Sequence, residues 1–169
     1  MCLDVSRKRL LRIDDKGIVV VPSSTPLVPA SGKTAREGLT MSKPTVKTAK
    51  KAAIKAFNQY IRERDNFTCF ICGKVGDRYS MDAGHLITAA REATRFDELN
   101  TNCSCKGCNI KHEHDYEPYR KKFVDKYGEA VYNAMYARSF KYVGRRVYDY
   151  IELRKEYEDK LKSIIAEAE

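Results

Sequence analysis

Residues 69–73 read CFICG, residues 82–85 read DAGH and residues 105–109 read CKGCN, and the stretch they span decides the fold. All three histidines and five of the six cysteines fall between Cys69 and His114, a clustering that chance scattering does not produce. Two residues separate Cys69 from Cys72. That gap lets both thiolates turn onto one metal ion, and Gly73 permits the tight backbone turn that follows. Cys105 and Cys108 repeat the spacing. Together the pairs supply the four thiolates of a closed, tetrahedral, structural zinc site. Cys103 is the alternative to Cys105 as a ligand, at a less usual spacing, and Cys2 stands alone. Little regular structure is expected between the pairs, so metal binding would hold a small irregular unit over residues 65–114 together.

Outward from this unit the signals are helical. Ala49, Ala53, Ala56, Phe57, Tyr60 and Ile61 recur at three- and four-residue spacing, which predicts a helix from about Thr45 to Arg64. Lys47, Lys50, Lys51 and Lys55 sit mostly off that stripe, as a solvated face or a phosphate-facing ridge. On the other side, Asp115 caps a helix over 118–127 that carries Pro118 in its first turn and stops at Gly128. A short helix follows to about Arg138, and a last one covers roughly 145–166. In the last helix Val147, Tyr150, Arg154, Tyr157, Leu161 and Ile164 form an a/d pattern. That pattern is either the seam of a homodimer or a face packed on its own domain, and Ile151 and Ile165 widen it toward the second reading.

The fold class expected is α+β and mainly helical, in one domain over 46–169, with a zinc-stapled core at 65–114 and C-terminal helices over 115–169. Residues 1–45 read as an N-terminal arm or linker. A short hairpin is expected around Asp14 to Gly17, and a Pro-, Ser-, Thr- and Gly-rich stretch follows over 22–45.

The chain has 169 residues and a formal net charge of +9, so its default partner is a polyanion. No apolar run approaches the roughly 20 residues a membrane span needs. The opening MCLDVSRKRLLRIDD has too short an apolar stretch for a signal peptide. A cytoplasmic location is therefore expected, where clustered cysteines argue for metal before disulfides.

The residues also resemble a known superfamily. A leading CxxCG, a strand ending in His85, Asn100 five residues ahead of the second CxxC, and Asn109 directly after it are the pattern of HNH (ββα-metal) nucleases. More specific elements are KAFNQYIRERD (55–65), DAGH (82–85), RFDE (95–98) and Tyr119-Arg120. With these the chain resembles the NinG (Rap) recombination endonucleases of lambda-like phages over roughly residues 47–165. The resemblance implies a metal-dependent DNA endonuclease in phage recombination. Its substrates would be branched intermediates such as Holliday junctions and D-loops, and its location the host cytoplasm. Two other readings stand beside it: a non-catalytic zinc-stapled DNA-binding protein, and a less selective HNH nickase.

Phosphodiester hydrolysis needs an activated water, a cation to offset charge on the phosphorane, and help for the leaving oxygen. By the HNH analogy His85 is the general base, Asn109 ligates a catalytic Mg²⁺ or Mn²⁺ through its side-chain oxygen, and Asn100 holds the loop after His85. Many HNH enzymes carry an acid directly before the catalytic histidine, where this chain has Gly84. Asp82 is the expected metal carboxylate, brought round by a bulge at Ala83-Gly84, or else a turn contact. His112 lies three residues beyond Asn109 on the same helix face and either completes the metal site or is a surface histidine, with Glu113 and His114 as weaker choices. Arg62, Arg64, Arg91, Arg95, Arg120 and Lys121 are the expected DNA-binding residues, Arg95 having the alternative of pairing with Asp97 or Glu98.

Overall fold

The alanine-rich stripe folds as expected, as the helix α1 (Val46–Arg64), with Thr45 and Thr48 closing a reciprocal capping box at its start. In a computed structural model that describes residues 12–13, 19–20 and 43–168, the chain divides into two units, Met1–Met41 and Ser42–Glu169. In the first unit two short strands, β1 (Arg12–Ile13) and β2 (Val19–Val20), pair antiparallel. Cys2 and the linker reading of 22–42 lie outside the described residues.

In the second unit the order after α1 is β3 (Met81–His85), β4 (Thr101–Cys105), α2 (Lys106–His112), α3 (Glu117–Tyr127), α4 (Glu129–Arg138) and α5 (Val147–Ala168). The described residues are thus mainly helical, with five helices and a two-stranded antiparallel sheet in this unit. Asp115 accepts from the Glu117 amide at 3.2 Å, and Gly128 ends α3 at φ 91°, a backbone region that favours glycine.

The apolar stripe of α1 meets α5. Phe57 packs edge-on to Tyr157 at 4.7 Å between ring centres, Tyr60 lies 5.3 Å from the same ring, and Val147, Tyr150, Leu153 and Ile164 fill in along the contact. Of the a/d residues, Tyr150 and Tyr157 are buried and Val147 and Ile164 partly buried in this contact, so the pattern serves packing within the chain, which removes that apolar surface from water. Two acids tie the helices to the segment between the strands. Glu92 accepts from Lys50, Arg145 and Tyr150 at 2.6–2.9 Å, and Glu98 accepts from Tyr60 and Lys160 at 2.7–2.8 Å.

Behind the sheet a second cluster gathers Leu86, Ile87, Tyr119, Phe123, Tyr132 and Met135, which seats α3 and α4 against the segment that leaves β3. Strand β4 reads TNCSC, with no apolar alternation, yet residues 101–104 are buried. Their polar groups are largely matched: Asn102 donates to the Tyr119 hydroxyl at 3.1 Å, and the Cys103 amide donates to Asp65 at 2.6 Å. No helix among the described residues is long and apolar enough to cross a membrane.

Candidate functional site: a four-thiol cluster and the cleft beside it

The segment after α1 reverses through Asn66 (φ 48°) and Phe67 (φ 50°) and delivers Cys69 to the edge of β4, where the Phe70 amide donates to the Cys103 carbonyl at 2.7 Å. A bridge between Thr68 and Val75 closes the loop, and Gly73 takes φ 76° to turn it. Cys72 is thereby folded back toward Cys69. Cys105 ends β4 and serves as N-cap of α2, and Cys108 lies on the first turn of that helix. The sulfurs of Cys69, Cys72, Cys105 and Cys108 all lie within 4.8 Å of one another, close enough to hold a metal such as zinc. Burial pushes the Cys69 thiol up, but the amides of Cys72, Cys105 and Ile71 outweigh it and bring the group down to about 7, toward the thiolate a zinc ion needs. Cys103 stands outside the cluster. It is fully buried, and burial pushes its thiol up to about 12. The open choice between Cys103 and Cys105 therefore falls to Cys105. The cluster is the only set of three or more His, Cys, Asp or Glu ligand atoms this close among the described residues.

From the cluster, β3 and α2 lead into a cleft of about 820 Å³ lined by His85, Arg91, Asn109, His112, Glu113, Tyr116 just before α3, and tyrosines of α4. His85, the last residue of β3, places Nε2 2.9 Å from the Arg95 carbonyl. A carbonyl only accepts, so Nε2 carries the proton and Nδ1 keeps a lone pair in the neutral ring. Burial lowers the His85 pKa below its ordinary 6.5, and the carbonyls of Arg95 and Ala83 only partly oppose this. Asn100, with no exposed surface, accepts from the Ile87 amide at 2.7 Å and donates to the carbonyls of Ile87 and Thr94 at 3.0 Å. It clamps the chain on either side of the loop that leaves His85. His112 donates from Nε2 to the Leu86 carbonyl at 3.1 Å and packs between Tyr116 and Tyr119, and its Nδ1 is buried without a hydrogen-bond partner. Asn109 makes no side-chain hydrogen bond to the described residues, and its Oδ1 sits over Gly84.

Asp82 does not join His85. The β3–β4 ladder runs without a break from Met81↔Cys105 to His85↔Thr101, so the expected bulge is not formed. Residues 82 and 85 then point to opposite faces of the strand. Asp82 shares a face with Gly84 and with its partner Ser104, and it does not line the cleft. The acid that does line it is Glu113, four residues beyond Asn109 and so on the same side of α2, a spacing already present in the sequence. Gly84 also has a steric reason to precede His85. A Cβ there would stand 2.6 Å from Ser104 Oγ and 3.0 Å from both Ser104 Cβ and Asn109 Oδ1. Ser104 is fully buried, so the crowding has little outlet. Gly84→Ala is expected to cost about 1–3 kcal/mol of stability by overpacking, read as a lower urea midpoint at unchanged slope; an unchanged midpoint would contradict the contact.

Comparison with known proteins shows the family. The family model described as "NinG: Bacteriophage Lambda NinG protein" matches residues 30–167. The chain belongs to the NinG family. It is 38% identical over 81 residues to protein ninG of Escherichia phage 933W, covering 47% of this chain and 40% of that protein. To protein ninG of Salmonella phage P22 it is 39% identical over 82 residues, with the same two shares, and to that of Escherichia phage lambda 37% over 81 residues, 47% and 39%. The chain thus spans about 40% of the length of the curated relatives it matches. No solved structure gives a significant match.

The NinG chain's expected phosphate-binding residues divide when placed on the structure. Arg91 lines the cleft. Arg62 is half-buried with a solvent-shielded Nε, and Lys121 is exposed beside Asp125 at 3.2 Å. Arg64, Arg95 and Arg120 are engaged elsewhere. Arg64 pairs with Asp65 at 2.8 Å and donates to the carbonyls of Glu98 and Thr101 at 3.0 Å. Arg95 donates to the Ala89 carbonyl, and does so in place of a pairing with Asp97 or Glu98. Arg120 pairs with Glu129 at 2.6 Å. Arg64 meets several oxygens of the fold at once, as a planar guanidinium fork can. Tyr119 is likewise internal, donating to the Gly84 carbonyl at 3.0 Å.

Proposed function

We propose that this NinG-family chain is a metal-dependent DNA endonuclease of the HNH kind, acting on branched recombination intermediates such as Holliday junctions and D-loops. The observation that carries the chemistry is the placement of His85: its Nε2 donates to the Arg95 carbonyl, which leaves Nδ1 as the lone-pair atom of the neutral ring, and the residue lines a cleft shared with Asn109 and His112. The branched substrate rests on the family resemblance alone.

The cleft's donors suit a hard divalent cation. Asn109 Oδ1 and the Glu113 carboxylate are oxygen donors, and the unpartnered Nδ1 of His112 is a nitrogen donor held by the Leu86 carbonyl, the kind of support a ligating histidine needs. Two carboxylates are candidates in this reading: Glu113, which lines the cleft, and Asp82, on the Gly84 face over which Asn109 Oδ1 sits. Mg²⁺ or Mn²⁺, when bound, supplies positive charge against the phosphate as the transition state forms. The protein's own part is to take a proton. A water oxygen attacks phosphorus, its proton passes to His85 Nδ1, and the bond to the 3′ oxygen breaks, that oxygen leaving with the bonding pair and taking a proton from solvent water. The products are a 3′-hydroxyl and a 5′-phosphate. Asn100 keeps the ring on target by holding the loop on its far side.

The test is a panel of four-way junction, D-loop, flap and plain duplex of equal length, incubated with Mg²⁺ or EDTA across pH. Cleavage is expected with Mg²⁺ only and fastest on the branched forms. A base must be neutral to act, so the rate should climb as pH rises through a midpoint below 6.5, the direction burial gives His85, and hold above it. Equal cutting of all four forms would point to a less selective nickase, and a rate that still climbs above pH 7.5 would point to a different base.

A further inference from the structure

The cleft has a wall that the hydrolytic chemistry does not use. Tyr132 and Tyr136 lie one turn apart on α4 and both line the cleft, and Phe140 follows just past the helix end. The rings run in sequence. Tyr132 and Tyr136 lie near-parallel, 5.9 Å apart and tilted by 24°, and Phe140 meets Tyr136 edge-on at 5.1 Å. Tyr132 belongs to the core, but Tyr136 is 43% exposed, Phe140 is 58% exposed, and neither is part of a core cluster. Arg91, which also lines the cleft, lays its guanidinium 3.7 Å from the centre of the Phe140 ring. Two solvent-exposed aromatic rings and a stacked arginine, beside the cleft that holds His85, stand outside the core clusters in a chain of net charge +9.

We propose that Tyr136, Phe140 and Arg91 form a stacking subsite for unpaired bases of a DNA strand, next to the phosphate presented to His85. The occupant follows from the chemistry. Exposed rings backed by a cation take up the faces of nucleobases whatever their identity, and the guanidinium meets the backbone phosphates that connect them. Paired bases of a duplex have their faces covered by their neighbours and cannot enter. The subsite therefore selects for a strand that is open at the cut, which deepens the nuclease reading of the same cleft and rests on it.

The chain contains no tryptophan, so Tyr136→Trp installs a single fluorescent reporter. Zinc-loaded Tyr136→Trp is titrated in EDTA, where nothing can be cut, with oligothymidylate and with a hairpin duplex of equal charge. Quenching that saturates with the single strand and is absent with the duplex is the expected result. Equal quenching by both, or none by either, overturns the subsite. Anisotropy with labelled oligothymidylate gives the second readout. Tyr136→Ala should weaken binding about tenfold, the scale of one lost stacking contact, and Tyr136→Phe should restore it. Duplex affinity should be unchanged in both. Loss of both affinities alike would contradict the proposal. Cleavage by the unmodified chain in Mg²⁺ is scored separately, so a stacking subsite without hydrolysis would sink only the endonuclease reading.

Discussion

Replacing Cys108 with serine, or stripping metal from the native chain with a chelator, is expected to unfold the strand–strand–helix unit while α1 and α5 stay paired. The reason lies in how little else holds that unit. The buried apolar cluster around the thiols consists of Cys69, Met81 and Cys103, and α2 has no buried residue. A structural zinc site contributes roughly 10–16 kcal/mol in small zinc-folded peptides, comparable to the whole stability of an ordinary domain, about 5–15 kcal/mol. The α1–α5 contact has its own aromatic core in Phe57, Tyr60, Tyr150 and Tyr157, and so does not depend on the metal. Hydrogen exchange is the discriminating measurement. Without metal, amides of β3, β4 and α2 should lose protection and those of α1 and α5 should keep most of theirs. Native protein should release one zinc per chain to a chromophoric chelator, and Cys103→Ser should release the same amount. A native-like exchange pattern in metal-free protein would refute the staple, and loss of zinc from Cys103→Ser would return that residue to the ligand set.

The sequence made some of this legible and hid the rest for identifiable reasons. Helix α1 was readable because six buried residues repeat at helical spacing, and the thiol pairs because their gaps reflect the reach of two side chains to one ion. Strand β4 left no such trace. It is buried through matched polar groups, and hydrophobic periodicity does not register those. Charge is ambiguous for a related reason. A guanidinium in the sequence carries no mark of whether carbonyls or phosphates will meet it, and Arg64 and Arg95 meet carbonyls. The bulge at Ala83-Gly84 left no mark in the sequence either way: an unbroken ladder keeps Asp82 on the face opposite His85, the Gly84 face over which Asn109 Oδ1 sits. Glu113 ranks below His112 on sequence alone, although its four-residue offset from Asn109 is in plain view. The a/d pattern of α5 was real, but a heptad pattern does not say whether the surface it fits belongs to a second copy or to the same chain.

The largest functional effect is expected from His85→Ala. A positioned base of this kind accounts for about 10²–10⁴ in rate. Its removal also leaves the Arg95 carbonyl without its donor and opens a small void beside Phe57. Folding should survive, because the loop stays clamped by Asn100 and the ring contributes one hydrogen bond, worth about 0.5–1.5 kcal/mol. DNA affinity should be close to that of the unmodified chain, since Arg91 and the aromatic wall are untouched. The decisive measurement is single-turnover cleavage of a four-way junction in Mg²⁺ by His85→Ala, with zinc content and junction affinity checked on the same preparation. A rate lower by at least about a hundredfold, with zinc and affinity retained, is the predicted result. Cutting at the unmodified rate would contradict the claim that the residue 85 imidazole activates the attacking water.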